Sequence, residues 1–239
     1  MPMPLPRWFA HRGGGSLAPE NTLAGIRLAV RLGYRAVEFD VMLSSDGTPV
    51  LIHDETLERT TNGSGAVCDT SDALLFSLDA GCGEPIPRFA DAARLCRELG
   101  LLANVEIKPA TGHELRTAEV VARMAADVWR GAPIQPLLSS FSLEALAVAR
   151  DVAPQLSRGV LFEVVPSGWQ ADFDVLQAVS LHTDALTLSD DVLAEARARD
   201  VPVLCYTVND VAAADRLLAR GVSGMFTDRL DLFVAQAAA

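Results

Sequence analysis

Four cysteines in 239 residues, Cys68, Cys82, Cys96 and Cys205, are too few and too scattered to build a centre, and none forms a C-x-x-C pair. That argues against both a zinc site and a disulfide framework, and leaves them as reduced, incidental thiols. No uninterrupted apolar run approaches the roughly 20 residues of a membrane span; half the residues are nevertheless apolar, so a large core is expected. Basic residues are in deficit, 20 Lys and Arg against 31 Asp and Glu, for a net charge of -11. Without a basic stripe, nucleic acid is not an expected partner, and without a basic amphipathic segment neither is an anionic membrane surface. The opening Met-Pro-Met-Pro-Leu-Pro-Arg carries no apolar leader region and no small-residue cleavage site, so a cytoplasmic location is expected. An anionic substrate must then be drawn in locally, by a bound cation and a few placed basic side chains, against the overall field.

What the chain does have is concentrated between Phe9 and Asp54. The run Trp8-Phe9-Ala10 ends in His11 and Arg12, and Gly13-Gly14-Gly15 follow, which reads as a strand ending at a site where the backbone turns tightly and comes close to a ligand. In Ala36-Val37-Glu38-Phe39-Asp40-Val41, strand alternation sends Val37, Phe39 and Val41 to one face and both carboxylates to the other. Pro49-Val50-Leu51-Ile52 then delivers His53 at the end of another apolar segment. A lone histidine after a strand is usually a hydrogen-bonded structural residue, and Glu-x-Asp usually marks a solvated sheet face. Two imidazoles, one guanidinium and a carboxylate pair in one stretch make an active-site inventory instead.

The remainder alternates strand and helix. Thr22 or Asn21 caps a helix that stops at Gly33. Asp46-Gly47 between apolar runs signals a hairpin, and only seven residues separate Val41 from Pro49, too few for a parallel crossover. Residues of about 55–87 fit no such rhythm and read as an insertion over the mouth of the fold. Strands are expected at Leu101–Lys108, Pro136–Phe141, Arg158–Phe162, Asp184–Leu188, Pro202–Val208 and Gly224–Asp228, each led in by a helix, the one before Asp184 running from about Trp169 to Val179. With the first two they make eight, and the length fits one barrel of about 250 residues. The expected fold is a single α/β domain over 1–239, a TIM (β/α)8 barrel with a hairpin extension and a small capping insertion. In such a barrel the site lies at the carboxyl ends of the strands. Glu106 and Lys108 share a face there as Glu38 and Asp40 do, and three carboxylates without a thiol suit a hard divalent cation, Mg2+, Ca2+ or Mn2+, rather than zinc. The competing reading of Glu106 and Lys108 is an ion pair filling a barrel layer.

Taken together, His11-Arg12-Gly13, Pro19-Glu20-Asn21-Thr22-Leu23, Glu38-Phe39-Asp40-Val41, Asp46-Gly47, Val50-Leu51-Ile52-His53-Asp54, Arg59-Thr60-Thr61-Asn62-Gly63, Glu106-Ile107-Lys108, Ser140-Phe141, Thr207-Val208-Asn209 and Thr227-Asp228 resemble the glycerophosphodiester phosphodiesterases, of the cytoplasmic bacterial type. The resemblance spans nearly the whole chain. It implies hydrolysis of small glycerophosphodiesters such as glycerophosphocholine or glycerophosphoethanolamine to sn-glycerol 3-phosphate and an alcohol. It also implies Glu38, Asp40 and Glu106 as ligands of one divalent cation, His11 and His53 as the acid-base pair, and Arg12 and Lys108 as phosphate contacts. Phe141 can supply an apolar face to the substrate, and Tyr206 stands where the family commonly has tryptophan, which bears on the wall facing the glycerol. Related barrel phosphodiesterases acting on phospholipid head groups, and a non-catalytic barrel binding phosphorylated ligands, are the alternatives. Which histidine is acid and which base is open at this stage.

Overall fold

A computed structural model describes residues 5–233; residues 1–4, part of the stretch read for a leader, and 234–239 lie outside the described residues. In chain order the strands and helices are β1 (Trp8–Ala10), α1 (Leu23–Arg31), β2 (Ala36–Leu43), β3 (Pro49–Leu51), α2 (Asp72–Leu75), α3 (Phe89–Leu99), β4 (Leu102–Ile107), α4 (Glu114–Val128), β5 (Leu137–Ser140), α5 (Leu143–Val152), β6 (Ser157–Phe162), α6 (Trp169–Val175), β7 (Ser180–Asp184), α7 (Asp190–Ala198), β8 (Val203–Tyr206), α8 (Val211–Arg220) and β9 (Gly224–Thr227). Neighbouring strands pair in parallel around the sheet, and β1 closes it by pairing with both β9 and β2. The result is a closed eight-stranded parallel barrel ringed by helices, the TIM architecture expected. The hairpin is there too: β3 runs antiparallel to the end of β2, with Met42 opposite Val50.

Alternation divides the strands between two environments. Val37, Phe39 and Val41 of β2 and Ala103, Val105 and Ile107 of β4 join the apolar layer under the helices, while Phe9, Ala36, Leu102, Leu204 and Phe226 close the lower lumen as a separate cluster. Above that plug the inward positions turn polar. Of the two residues expected to cap α1 it is Thr22 that does so, its Oγ1 accepting from Gly25 N at 3.2 Å; Ser142, Ser189 and Asp210 do the same for α5, α7 and α8. The residues between β3 and α3 carry their own small core, in which Ile52, Leu57, Val67, Leu75 and Ile86 meet Met42 and Val50 of the hairpin. Asp72 pins this segment down by accepting from Ser44 and Thr48 hydroxyls, each at 2.6 Å.

One strand is not where periodicity puts it. The expectation was a helix to Val179 and a strand over Asp184–Leu188; α6 ends at Val175 and β7 occupies Ser180–Asp184. The apolar Ala185-Leu186-Thr187-Leu188 is a turn, with Leu186 93 % exposed and its N–H donating to Asp184 Oδ1 at 2.7 Å. The inward positions of this barrel are polar near its carboxyl end, so β7 can turn Ser180, His182 and Asp184 inward while Leu181 packs under the helices. Among the described residues no helix is long and apolar enough to cross a membrane.

Candidate active site

Consecutive strand ends deliver the polar residues to one cavity of ≈ 150 Å³ at the carboxyl end of the barrel. β1 hands over to His11 and Arg12, β2 presents Glu38 and Asp40, β4 presents Glu106 and hands over to Lys108, and the turn after β3 brings back His53. Phe141 and Tyr206 form the opposite wall edge to face, ring centroids 5.9 Å apart at 81°. Tyr206 is held there by its hydroxyl donating to Phe162 O at 3.0 Å. Every site residue named from the sequence therefore lines the same cavity.

Glu38, Asp40 and Glu106 each offer a carboxylate oxygen, the three within 4.8 Å of one another and all buried. Burial, and then the charge of Asp40, push the Glu38 carboxyl well above the usual carboxylate range; Glu106 moves the same way for the same reasons. Burial opposes ionisation of Asp40 too, but Lys108, His53 and Arg12 outweigh it and hold that carboxyl low. Lys108 Nζ sits 2.9 Å from Glu106 and 3.5 Å from Asp40, so the ion pair weighed as an alternative does exist. It is not self-sufficient, because one ammonium faces three buried carboxylates and Glu38 Oε1 has no partner at all. An orphaned buried carboxylate oxygen beside two further acids and no thiol is a donor set suited to a hard divalent cation.

The two imidazoles are oriented alike. His11 Nδ1 lies 2.6 Å from Asp228 Oδ1, and Asp228 is itself steadied by Asn209 Nδ2 at 2.9 Å. His53 Nδ1 lies 2.7 Å from Asp54 Oδ1. Each carboxylate favours the tautomer that leaves Nε2 available to a reacting group. The two carboxylates differ, though. Asp54 also accepts from Arg59, whose guanidinium bridges to Glu20 at 2.8 Å, and Glu20 in turn accepts from Arg12 at 2.9 Å. Burial disfavours charge on both rings. At His11 the Asp228 hydrogen bond and Glu38 overcome it and raise the pKa; at His53 burial prevails over Asp40 and Asp54, helped by the nearby charges of Lys108 and Arg12, and the pKa is lowered.

The local backbone explains why Arg12 and the glycines follow His11. Arg12 takes φ 49°, which turns its N–H onto Glu38 Oε2 at 2.8 Å. A Cβ on Gly14 would lie 2.6 Å from Ala18 Cβ and 2.8 Å from Gly25 Cα, and one on Gly15 would overlap Asp228 O. The close approach these glycines make within the chain is thus to Ala18, to α1 and to Asp228. Asn21, at φ 57°, reads Asp40 twice, donating to Oδ2 at 2.9 Å and accepting its N–H at 3.1 Å.

Several contributors were not assigned these roles from sequence. Glu20, Asn21, Asp54, Arg59, Asn209 and Asp228 stand in the quoted motifs; Asp54 pairs locally with His53 and Arg59, but Arg59 meets Glu20, Asn21 meets Asp40 and Asp228 meets His11 across longer stretches of chain. Asn104 precedes Glu106 by two residues, so strand alternation alone puts it on the inner face. His182 was missed with β7, although Ser180-Leu181-His182-Thr183-Asp184 alternates.

The family model for the glycerophosphoryl diester phosphodiesterase family matches residues 11–232. A glycerophosphodiester phosphodiesterase of Caldanaerobacter subterraneus subsp. tengcongensis is 31% identical over 232 residues, covering 92% of this chain and 93% of its own. Among solved structures, an Oleispira antarctica phosphodiesterase in complex with the product sn-glycerol-3-phosphate superposes with a TM-score of 0.91 at 34% identity, with 98% of each chain covered. A glycerophosphodiester phosphodiesterase from Agrobacterium tumefaciens superposes with a TM-score of 0.79 at 27% identity, covering 97% of this chain and 100% of its own.

Proposed function

The chain belongs to the glycerophosphoryl diester phosphodiesterase family, and on that premise we propose that it hydrolyses small glycerophosphodiesters, such as glycerophosphocholine and glycerophosphoethanolamine, to sn-glycerol 3-phosphate and the free alcohol. The observation that carries the reading is the pair of imidazoles, each tied at Nδ1 to its own carboxylate and facing one cavity with three convergent acids, Arg12 and Lys108. Glu38, Asp40 and Glu106 hold one divalent cation, Mg2+, Ca2+ or Mn2+. When bound, it neutralises charge on the phosphoryl oxygens. Arg12 and Lys108 supplement that neutralisation from the protein side.

Proton transfer divides between the histidines by their surroundings. Burial beside Lys108 and Arg12 makes His53 the weaker base, so it enters neutral; the Asp228 hydrogen bond and Glu38 favour charge on His11 against its burial, so it enters protonated. His53 therefore takes the proton of the nucleophile and His11 gives one to the leaving alkoxide, each transfer worth about 10²- to 10⁴-fold. Among the described residues no hydroxyl or thiol is hydrogen-bonded to either imidazole, so a covalent enzyme intermediate is not invoked. The nucleophile we favour is the glycerol hydroxyl next to the phosphodiester, for which proximity supplies effective molarities of about 10⁵ M or more. Its oxygen bonds to phosphorus as the bond to the alcohol breaks, leaving a cyclic phosphate. Water then opens the ring with the histidines in exchanged roles.

The test is release of sn-glycerol 3-phosphate from glycerophosphocholine before and after chelation. Chelation is expected to abolish release and Mg2+, Mn2+ or Ca2+ to restore it. Full activity after exhaustive chelation removes the cation, and no release from either diester removes the activity. Comparison with 2-deoxy glycerophosphocholine decides the nucleophile: near-equal kcat/KM, with no cyclic phosphate trapped, leaves water as the attacker.

A further inference from the structure

Below the carboxylates the cavity continues into the lumen. Barrel interiors at this level are usually filled by bulky branched side chains, but here Ser139, Gly159 and Ser180 lie side by side on neighbouring strands. The ring of His182 uses the space they leave, and a Cβ on Gly159 would stand 2.6 Å from its Nε2. Ser180 Oγ anchors Nε2 at 2.8 Å, and the Phe226 ring, 5.4 Å away at 49°, supports one face. Nδ1 is left without a partner. Asn104 is in the same position: its Nδ2 donates to Ser139 Oγ at 3.0 Å, and its Oδ1 has no partner.

Both side chains are buried, His182 at 0% and Asn104 at 1% exposure, and both line the cavity that holds His11 and His53. Buried polar atoms are paired in the great majority of cases, so two orphans in one cavity wall call for a polar guest. Burial pushes His182 down to about 3, so the ring is neutral and offers one hydrogen bond, with no charge for an anion. The phosphoryl group already has Arg12 and Lys108. Of the two arms that remain, the alcohol arm of choline or ethanolamine ends in a cation, whereas the glycerol arm carries hydroxyls that can both donate and accept and a C–H surface that suits the adjacent Leu161 and Phe226.

We propose that His182 and Asn104 together form the seat of a glycerol hydroxyl, and so select glycerol diesters over other phosphodiesters. This rests on the glycerophosphodiester reading above. The test compares glycerophosphocholine with bis(p-nitrophenyl) phosphate, which has no free hydroxyl and whose activated aryl ester is cleaved by water, the attacker of the second step. His182→Phe, which keeps a ring against Phe226, and Asn104→Leu should each lower the ratio of the two kcat/KM values about tenfold, chiefly through KM for the glycerol substrate. Inhibition gives a second readout. The ratio of Ki for ethyl phosphate to Ki for sn-glycerol 3-phosphate should be about 10 or more in the wild type and should fall in both variants. Unchanged ratios in both variants assign the orphan atoms to ordered water and overturn the seat. So do near-equal Ki values in the wild type, a measurement that needs no variant to fold. A wild type that cleaves the aryl diester but no glycerophosphodiester refutes the activity itself, and registers separately.

Discussion

Each imidazole has a carboxylate behind it, but Asp228 and Asp54 are engaged differently, and that difference is testable one residue at a time. His11→Ala and His53→Ala should each lower kcat by about 10²-fold or more with the fold retained; a collapsed thermal midpoint with normal specific activity in the folded fraction would mark a structural histidine instead. Asp228→Asn removes the charge that favours imidazolium at His11, so the His11 pKa should fall. If His11 is the acid, the alkaline limb of the kcat/KM profile then moves to lower pH. Asp54→Asn should move its own limb less, because Arg59 already shares that carboxylate. Arg12 donates through Nη1 to Glu20 and lies 3.8 Å from Asp40 through Nε. A lysine cannot reproduce that fork, so Arg12→Lys should leave activity toward anionic diesters well below wild type; wild-type kinetics would show that charge alone matters there.

Elements matter here because they bring residues far apart in the chain to one point. The turn after β1 is the tightest case: Gly15, at φ 54°, lies against Asp228 O, while Gly47 in the hairpin, at φ 79°, has open space around it. Gly47→Ala should therefore cost only the left-handed backbone, about 1–2 kcal/mol. Gly15→Ala adds an overlap with main chain, about 1–3 kcal/mol more, and shifts the residue that orients His11. Chemical denaturation should rank the two, and only Gly15→Ala should lose kcat in the fraction that remains folded. Equal losses would mean that the β1 turn relaxes freely.

For the whole molecule, the polar lumen links stability to metal and to pH. Three buried acids with one orphaned oxygen repel one another, so a cation that binds the folded chain alone should raise the thermal midpoint, by the equivalent of about 2.7 kcal/mol at a hundredfold excess over Kd. Because burial holds Glu38 and Glu106 toward their protonated forms, protons compete with the metal, and its apparent affinity should weaken as pH falls. Titration calorimetry at two pH values checks both; a pH-independent Kd would place the metal elsewhere. His182 has its own signature. Its pKa is lowered on folding, from an ordinary 6.5 to about 3, so the unfolded chain binds the extra proton. The stability associated with the neutral ring is complete above pH 6.5 and is lost at up to about 1.4 kcal/mol per pH unit below it. The stability difference between wild type and His182→Phe should accordingly shift in favour of the variant by that slope as pH falls from 6.5; a parallel pair of curves would mean that the ring is protonated in the fold.

Local physics makes much of this protein readable from its residues. Strand alternation alone put Glu38 with Asp40 and Glu106 with Lys108, because a period of two depends on no distant contact. Asp46-Gly47 announced the hairpin and Asn21-Thr22 the start of α1, because turns and caps are made within a few residues. Tertiary structure decided what depends on closure of the barrel. Asp228 reaches His11 across 217 positions of the chain, and Arg59 reaches Glu20 across 39. Neither pairing leaves a local periodic trace. The position of β7 was decided the same way: the lumen accepts Ser180 and His182 on an inner face that elsewhere would be apolar, and the apolar Leu186 beside them is left to solvent. Sequence pattern reports the face a residue takes on its own element; only the closed barrel decides what that face meets.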